Sequence, residues 1–183
     1  MRGIIDFLIS DDSIEAVTLR KNFIFKIVPM VNVDGVKYGN HRCNLSGIDL
    51  NRAWKKPSSV LFPEVSSIKK MIQEFKDERR VVMMVDLHGH SIARHAFAYA
   101  NTYLNNPKQT KLFPFILSKL EPEIFKFSKC TFNVEVSKEG TSRVALWKML
   151  KTPVVFTLET SMCGAGVRST MPHFIRDNFL KLG

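Results

Sequence analysis

The apolar run Val81-Val82-Met83-Met84-Val85 decides the fold class. Five apolar residues in succession are typical of a strand buried on both faces of a mostly parallel sheet. The run ends abruptly in Asp86-Leu87-His88-Gly89-His90-Ser91, and a second apolar run over residues 154–158 ends in Glu159-Thr160-Ser161. Polar groups at the carboxyl ends of buried strands converge on ligands in open α/β sheets. These two strand ends are therefore the predicted site.

Helical and strand patterns alternate outward from these two runs. Helical spacing covers residues 3–10, 63–75, 111–127, 142–150 and 172–182, and strand patterns cover residues 23–28, 96–100 and 131–136. The alternation, without an internal repeat or a linker, predicts one α/β domain with a mixed, mostly parallel sheet flanked by helices. Residues 30–57 are rich in Asn, Gly and Asp, and so long an irregular segment indicates a functional loop.

Composition excludes several classes of protein and leaves the partner open. The 183 residues are 45% hydrophobic, which excludes a disordered or collagen-like chain. Three cysteines without a close pair argue against a disulfide framework, and no stretch reaches the length of a membrane helix. We therefore expect a soluble, intracellular protein. The net charge of +10 favours anionic partners such as nucleic acid, a membrane surface or an acidic peptide, although scattered basic residues are also typical of a solvated surface.

Asp86, His88 and Glu159 are candidates for metal and acid–base chemistry. Two residues apart on a strand, Asp86 and His88 point to the same side, and a carboxylate beside an imidazole commonly fixes a metal-binding tautomer. The alternative is a capped loop with two partly exposed histidines. Glu159 follows an apolar strand, so partial desolvation should raise its pKa toward the range useful for general acid–base catalysis. The alternative is a helix-capping or ion-paired glutamate.

The irregular segment 30–57 contains further candidate site residues, Arg42 and the stretch 47–54. Arginine binds planar carboxylates in bidentate geometry, so these residues are candidates for substrate binding. Trp54 is more typical of a packing anchor than of a ligand contact.

Six short motifs in one order resemble the zinc metallocarboxypeptidases, and within them the cytosolic carboxypeptidase branch. The motifs are P-M-V-N-V-D-G (29–35), G-N-H-R (39–42), G-I-D-L-N-R-A-W (47–54), D-L-H-G-H-S (86–91), E-G-T-S-R (139–143) and F-T-L-E-T-S-M-C-G (156–164). Members of this branch remove glutamates from protein tails, especially those of tubulin. The resemblance covers nearly the whole chain.

The resemblance implies a role for each candidate residue. His88 would be the third zinc ligand, with His90 beside it and not coordinating. Arg42 would polarise the scissile carbonyl, and Asn51 and Arg52 would hold the terminal carboxylate of the substrate. Glu159 would be the general base that takes a proton from zinc-bound water and passes it to the leaving amine.

The family's substrate pocket gives Arg143 a further possible role. Arg143 would bind an acidic side chain of the substrate, and Lys138 is a weaker candidate for the same role. The alternative is a helix-start arginine that pairs with a nearby acid.

One motif of the family has no counterpart in this sequence. The family takes its other two zinc ligands from H-x-x-E, but no glutamate lies three residues after any of the five histidines. We therefore expect residues 1–183 to be a partial catalytic domain, incomplete at the N-terminal end and lacking two of the three protein ligands of Zn²⁺. We also expect this chain alone to bind zinc weakly and to have no peptidase activity.

The expected function is a zinc-dependent metallocarboxypeptidase that removes C-terminal or branch glutamates from acidic protein tails, such as those of tubulin. The expected location is the cytoplasm, with association to microtubules or cilia and none to membranes. The alternative is a non-catalytic pseudo-enzyme or a basic binding module for acidic tails or nucleic acid. Nucleic acid is the weaker version, because no aromatic–basic stripe or groove-reading motif is present.

Overall fold

A three-stranded sheet forms the centre of the computed structural model, which describes residues 1–103, 106–166 and 173–183. Its strands are β1 (Met84–His90), β2 (Ala96–Tyr99) and β3 (Val155–Ser161), in the order β1-β3-β2. β3 pairs parallel with β1 and antiparallel with β2, so the sheet is mixed, as the sequence predicts.

Seven helices lie around this sheet in the described part of the chain, and side-chain caps fix the starts of several. Ser13 Oγ accepts a hydrogen bond from the amide of Ala16, and Thr141 Oγ1 accepts one from Val144, so each side chain satisfies an N–H without a partner inside the helix. The helices are α1 (Arg2–Leu8), α2 (Ile14–Asn22), α3 (Val33–Tyr38), α4 (Pro63–Glu78), α5 (Pro107–Leu120), α6 (Ser142–Leu150) and α7 (Arg176–Leu182). None of the helices in the described ranges is long and apolar enough to cross a bilayer.

Two apolar clusters bury the faces of these elements. One joins η1 (Leu50–Arg52) and the residues after it to α4, α6 and the start of β3, and Trp54 lies within it at 5% exposure. The predicted packing role of Trp54 is therefore confirmed. The other cluster lies around β2 and includes Ile124, Phe125 and Leu158.

The predicted strand over residues 23–28 is wrong. Phe23 has an extended backbone, but residues 23–28 join no ladder of the described sheet, and Ile24 is 59% exposed. The apolar pattern indicates side chains that can be buried, whereas a strand also needs a hydrogen-bonded neighbour. The same reason applies to residues 131–136, where only Thr131 forms a bridge, with Tyr99.

Other boundaries also differ from the sequence prediction; the helix predicted over residues 111–127, for example, is α5 at Pro107–Leu120. β1 begins at Met84 and continues through His90, because its hydrogen-bonded register with β3 runs over all seven residues. It is half-buried along most of its length rather than buried on both faces, since β3 is its one strand neighbour in the described sheet. The irregular segment 30–57 contains α3 and η1, and the predicted start of the last helix at residue 172 lies outside the described residues.

Candidate active site

His88 and Glu159 are direct partners in the parallel register of β1 and β3. Side chains of directly paired residues project from the same face of a sheet, and so do residues two positions apart on one strand. Asp86 therefore joins His88 and Glu159 on one face, near the carboxyl ends of both strands. The two strand ends that the sequence singled out do come together.

Asp86 and His88 form an ion-pair contact with 3.0 Å between Asp86 Oδ2 and His88 Nε2. Burial lowers the pKa of the His88 imidazole, but the hydrogen bond and negative charge of Asp86, together with the charge of Glu159, outweigh it. The pKa of His88 is therefore raised. Arg42 opposes that increase, so its positive charge acts on the same site.

Glu159 is a partly buried carboxyl group among charges of both signs. Burial raises its pKa, while the positive charges of His88, His90 and Arg42 oppose the increase. The net direction is upward, as its position after an apolar strand predicts. A raised pKa makes a carboxylate a stronger proton acceptor, and the protonated carboxyl can return the proton.

Asn51 reaches the two strands from η1. Its Nδ2 lies 3.3 Å from His88 Nε2, and its Oδ1 accepts a 3.0 Å hydrogen bond from the backbone amide of Ser142. Ser142 is fully buried, and its hydroxyl donates to Asp86 Oδ2. Asn51, His88, Asp86 and Ser142 thus form a closed ring of contacts.

Ser142 is the residue of this ring that sequence reasoning did not single out. Ser142 lies in the E-G-T-S-R motif immediately before Arg143, and the candidate role from that motif is assigned to Arg143. The position of Ser142 as the first residue of a helix, after the capping residue Thr141, does not indicate these contacts.

Arg42 and Arg52 lie on the same loop as Asn51. Arg42 donates from Nε and Nη2 to Asp49 Oδ2, at 3.2 and 3.0 Å, and Asp49 Oδ1 accepts from the Asn51 amide at 2.9 Å. Arg52 Nη1 donates to the carbonyl of Asn51 at 2.9 Å. Asp49 therefore ties Arg42 to the turn that carries Asn51 and Arg52. The backbone of Arg42 has a φ of 63°, a left-handed conformation uncommon for a residue other than glycine.

Arg143 directly follows Ser142 on α6 and is buried, and its side-chain hydrogen bonds go to residues outside this ring. Its Nη1 donates to the carbonyl of Ala100 at 2.7 Å and to Asn101 Oδ1, and its guanidinium lies 6.0 Å from the ring centroid of Tyr99. Burial lowers the pKa of Arg143. The partners of Arg143 are a carbonyl and an amide oxygen, so these bonds show neither an ion pair with a nearby acid nor a contact with a substrate. The binding of an acidic substrate side chain by Arg143 stays a prediction.

The zinc ion that the sequence implies needs three protein ligands in a catalytic site. No group of three or more His, Cys, Asp or Glu residues suited to a metal ion occurs within residues 1–103, 106–166 and 173–183. His88 is a candidate ligand, and its Nε2 lies between Asp86 and Asn51. The described residues therefore do not make a complete zinc site by themselves.

Comparison with known proteins gives one consistent result. The family model described as zinc carboxypeptidase matches residues 1–180. Cytosolic carboxypeptidase 3 of Mus musculus is 44% identical over 172 residues, which cover 90% of this chain and 17% of that protein. Cytosolic carboxypeptidase 2 of Xenopus tropicalis is 38% identical over 187 residues, which cover 100% of this chain and 19% of that protein.

A solved structure supports the same fold. The metallo-carboxypeptidase from Burkholderia cenocepacia superposes with a TM-score of 0.80 at 20% identity, and the match covers 98% of this chain and 48% of that one. The chain thus spans less than a fifth of the first of these curated relatives and about half of this structural neighbour.

Proposed function

Because the chain belongs to the zinc carboxypeptidase family, we propose that the whole protein is a zinc-dependent carboxypeptidase that removes glutamates from acidic protein tails. The scissile bond would join a C-terminal or branch glutamate to the rest of the tail. The observation that carries the proposal is the pairing of Glu159 with His88 at the carboxyl ends of β1 and β3, where Asn51 also contacts His88.

Glu159 would move the proton in the reaction. Its raised pKa lets it take a proton from the attacking water and hold it beside the substrate. The same carboxyl would then give this proton to the nitrogen of the departing glutamate. No other carboxyl group of the described part of the chain lies directly opposite His88 in the β1–β3 register.

The cationic and amide side chains would bind and orient the substrate. Arg42 would stabilise the negative charge that develops on the carbonyl oxygen of the scissile bond. Asn51 and Arg52 would hold the terminal carboxylate, and Arg143 would favour an acidic side chain next to it. The net charge of +10 supports an acidic substrate, because it attracts anionic chains by long-range electrostatics.

The proposed partner is a glutamate-rich tail such as that of tubulin, and the proposed location is the cytoplasm, including microtubules or cilia. Two relatives are named cytosolic carboxypeptidases, which supports the cytoplasmic location. The acidic tail as substrate rests on the resemblance of the motifs and on the charge of the chain.

Release of glutamate by the whole protein tests this proposal. Zinc-loaded protein should release glutamate from a peptide that ends in several glutamates, and much less alanine from a peptide of equal length ending in alanine. Glu159→Gln should abolish release while retaining zinc, and Glu78→Gln, an exposed carboxylate at the end of α4, should retain activity. Undiminished turnover in Glu159→Gln would reject Glu159 as the base.

We also propose that the 183-residue chain alone has no peptidase activity. The support is the lack of an H-x-x-E sequence at any histidine, which leaves His88 without the family's other two ligands. Metal analysis after dialysis against equimolar zinc should find much less than one zinc ion per chain. Stoichiometric, tightly held zinc would contradict this proposal.

A further inference from the structure

A cavity of about 300 Å³ lies at the end of the sheet away from His88 and Glu159. Val81, which precedes β1, and Pro153, which precedes β3, both line it, so it opens at the amino ends of the two parallel strands. Its volume is at the lower end of the ~300–1,000 Å³ found for small-molecule pockets. The cavity is therefore separate from the candidate active site.

Four cationic side chains surround this cavity: Lys76, Arg79, Arg80 and Lys151. No aspartate or glutamate is among its described lining residues, and none of the ion pairs in the described ranges includes any of the four cations. Tyr103 and Gln109 add an aromatic ring and an amide to the wall. The cavity thus combines a high positive charge with polar groups.

Helix ends do not neutralise this charge. α4 and α6 both end at the cavity, and a helix C-terminus carries roughly −0.5 of an elementary charge, so the two together offset about one of the four positive charges. Gln109 lies in the first turn of α5, whose amino end contributes about +0.5. The helix ends therefore leave most of the positive charge that lines the cavity unopposed, and the acids of the stretch 76–80, Asp77 and Glu78, are not among its lining residues.

Lys151 occupies an unfavourable backbone conformation at this wall. It caps α6 with a φ of 51° and a ψ of 40°, the left-handed region that glycine usually fills at a helix C-terminus. A lysine at such a position strains the backbone, and strain of this kind is concentrated at functional sites. Glycine would relieve this strain, but it would not place a positive charge at the cavity wall as Lys151 does.

From this geometry we propose that the cavity binds a compact polyanion, a small molecule that carries two or more phosphate groups. Arginine forks match phosphate oxygens in bidentate geometry, and Arg79 and Arg80 supply two of them. A compact cavity favours a small anion over an extended acidic chain. This site is additional to the proposed peptidase function and does not depend on it.

Calorimetric titration of the 183-residue chain with sodium tripolyphosphate and with inositol hexakisphosphate tests the proposal. Both probes should bind, and raising the salt concentration from 0.05 to 0.3 M should weaken them because the cations are exposed to solvent. Arg79→Gln/Arg80→Gln should weaken binding about tenfold or more, since charge-assisted hydrogen bonds are lost. Lys21→Gln/Lys181→Gln removes the same charge from exposed lysines on α2 and α7 and should change binding less than about twofold.

Lys151→Gly separates binding from folding. Glycine suits the left-handed cap, so this variant should melt at the same or a higher temperature while binding tripolyphosphate more weakly. An equal loss of binding in the lysine control pair would overturn the proposal, because it would show a general charge effect. A hexaglutamate peptide that displaces tripolyphosphate at equal or lower concentration would also overturn it, in favour of an acidic polypeptide.

Discussion

Ser142 links the substrate-binding and proton-handling residues of the candidate site. Its amide donates to Asn51 Oδ1 and its hydroxyl to Asp86 Oδ2, the oxygen that also contacts His88 Nε2. Because Ser142 is fully buried, no solvent can replace its hydroxyl without rearrangement. The orientation of Asp86, and through it that of the His88 ring, therefore depends on this serine.

Ser142→Ala should lower the free energy of unfolding of the chain by about 1–2 kcal/mol, because Asp86 loses a charge-assisted hydrogen bond in a partly buried site. Urea denaturation monitored by circular dichroism measures the change. Ser118→Ala is the control, because the exposed Ser118 hydroxyl also donates one hydrogen bond, to Phe115, and should cost less than about 0.5 kcal/mol. Equal losses in the two variants would contradict the special role of Ser142.

The raised pKa of Glu159 makes the stability of the chain depend on pH. Because folding favours the protonated carboxyl, Glu159 contributes stability that is present below its unfolded pKa of about 4.3 and is lost as the pH rises through its folded pKa. Glutamine mimics the protonated form at every pH. Glu159→Gln should therefore be more stable than the native chain at pH 7, by a margin that grows as the pH rises from about 4.3 to the folded pKa and is constant above it.

Urea denaturation at several pH values between 4 and 8 measures this margin. Glu78→Gln is again the control, since Glu78 is exposed at the end of α4. The raised pKa of His88 also makes the chain less stable at higher pH. The positive charge of His88 stabilises the folded chain and is lost as the pH rises above about 6.5. A margin that stays constant over this range would contradict the burial of the Glu159 carboxylate.

Among single residues of the site, the sequence identifies those that follow apolar strands. It does not identify residues whose role depends on contacts far away along the chain. Asp86, His88 and Glu159 could be selected because each follows an apolar run. Ser142 could not, because its partners Asp86 and Asn51 are 56 and 91 residues away along the chain. Local patterns contain no information about such pairs.

At the scale of elements, the loop before α6 packs directly on η1. A Cβ atom on Gly140 would lie 2.3 Å from the carbonyl oxygen of Arg52, and the Gly140 carbonyl accepts a 3.0 Å hydrogen bond from the amide of Trp54. Only glycine allows the two backbones to approach so closely. The turn that carries Asn51 and Arg52 is therefore positioned by this contact.

Gly140→Ala should destabilise the chain by about 1–3 kcal/mol, because one of the two backbones must move. In the whole protein it should also raise KM for a glutamate-terminated peptide, since Arg52 would be displaced. Gly183→Ala at the C-terminus is the control, because its added Cβ would meet the nearest atom at 3.2 Å at a chain end. An unchanged KM with a lower stability would separate the packing role of Gly140 from substrate binding.

Strand prediction failed where a strand depends on its neighbours. The runs at residues 81–85 and 154–158 do enter strands, but both strands extend further, because their backbones stay paired through His90 and Ser161. Residues 23–28 have mostly apolar side chains, yet no strand of the described sheet pairs with them. Hydropathy reports on burial and alternation, and pairing depends on the rest of the fold.

At the scale of the whole molecule, the order of motifs predicted the fold better than any single element did. The mixed α/β architecture and the family membership are confirmed, whereas two of the predicted strands are absent from the described sheet. The basic cavity could not be predicted, because its cations come from the ends of α4 and α6, which are far apart in the sequence. Their convergence is a property of the folded chain.

The segment 23–28, which is neither helix nor strand, leaves apolar side chains on the surface of the molecule. Ile24 is 59% exposed, and Lys26 Nζ lies 4.6 Å from the ring centroid of Phe75, which places the segment beside α4. An exposed apolar segment whose backbone pairs with no strand of its own chain can pair with another chain. We therefore expect the 183-residue chain to associate with itself in a concentration-dependent way.

Ile24→Lys should reduce this association, because a charged side chain on an exposed, unpaired segment opposes pairing with a second copy. Sedimentation velocity at several concentrations of the chain measures the shift toward monomer. Ile92→Lys is the matched control: Ile92 is 87% exposed but lies in the turn after β1, so the same substitution there should leave association unchanged. Equal reductions in the two variants would show that net charge, and not the segment 23–28, controls association. A chain that stays monomeric at every concentration would contradict the prediction itself.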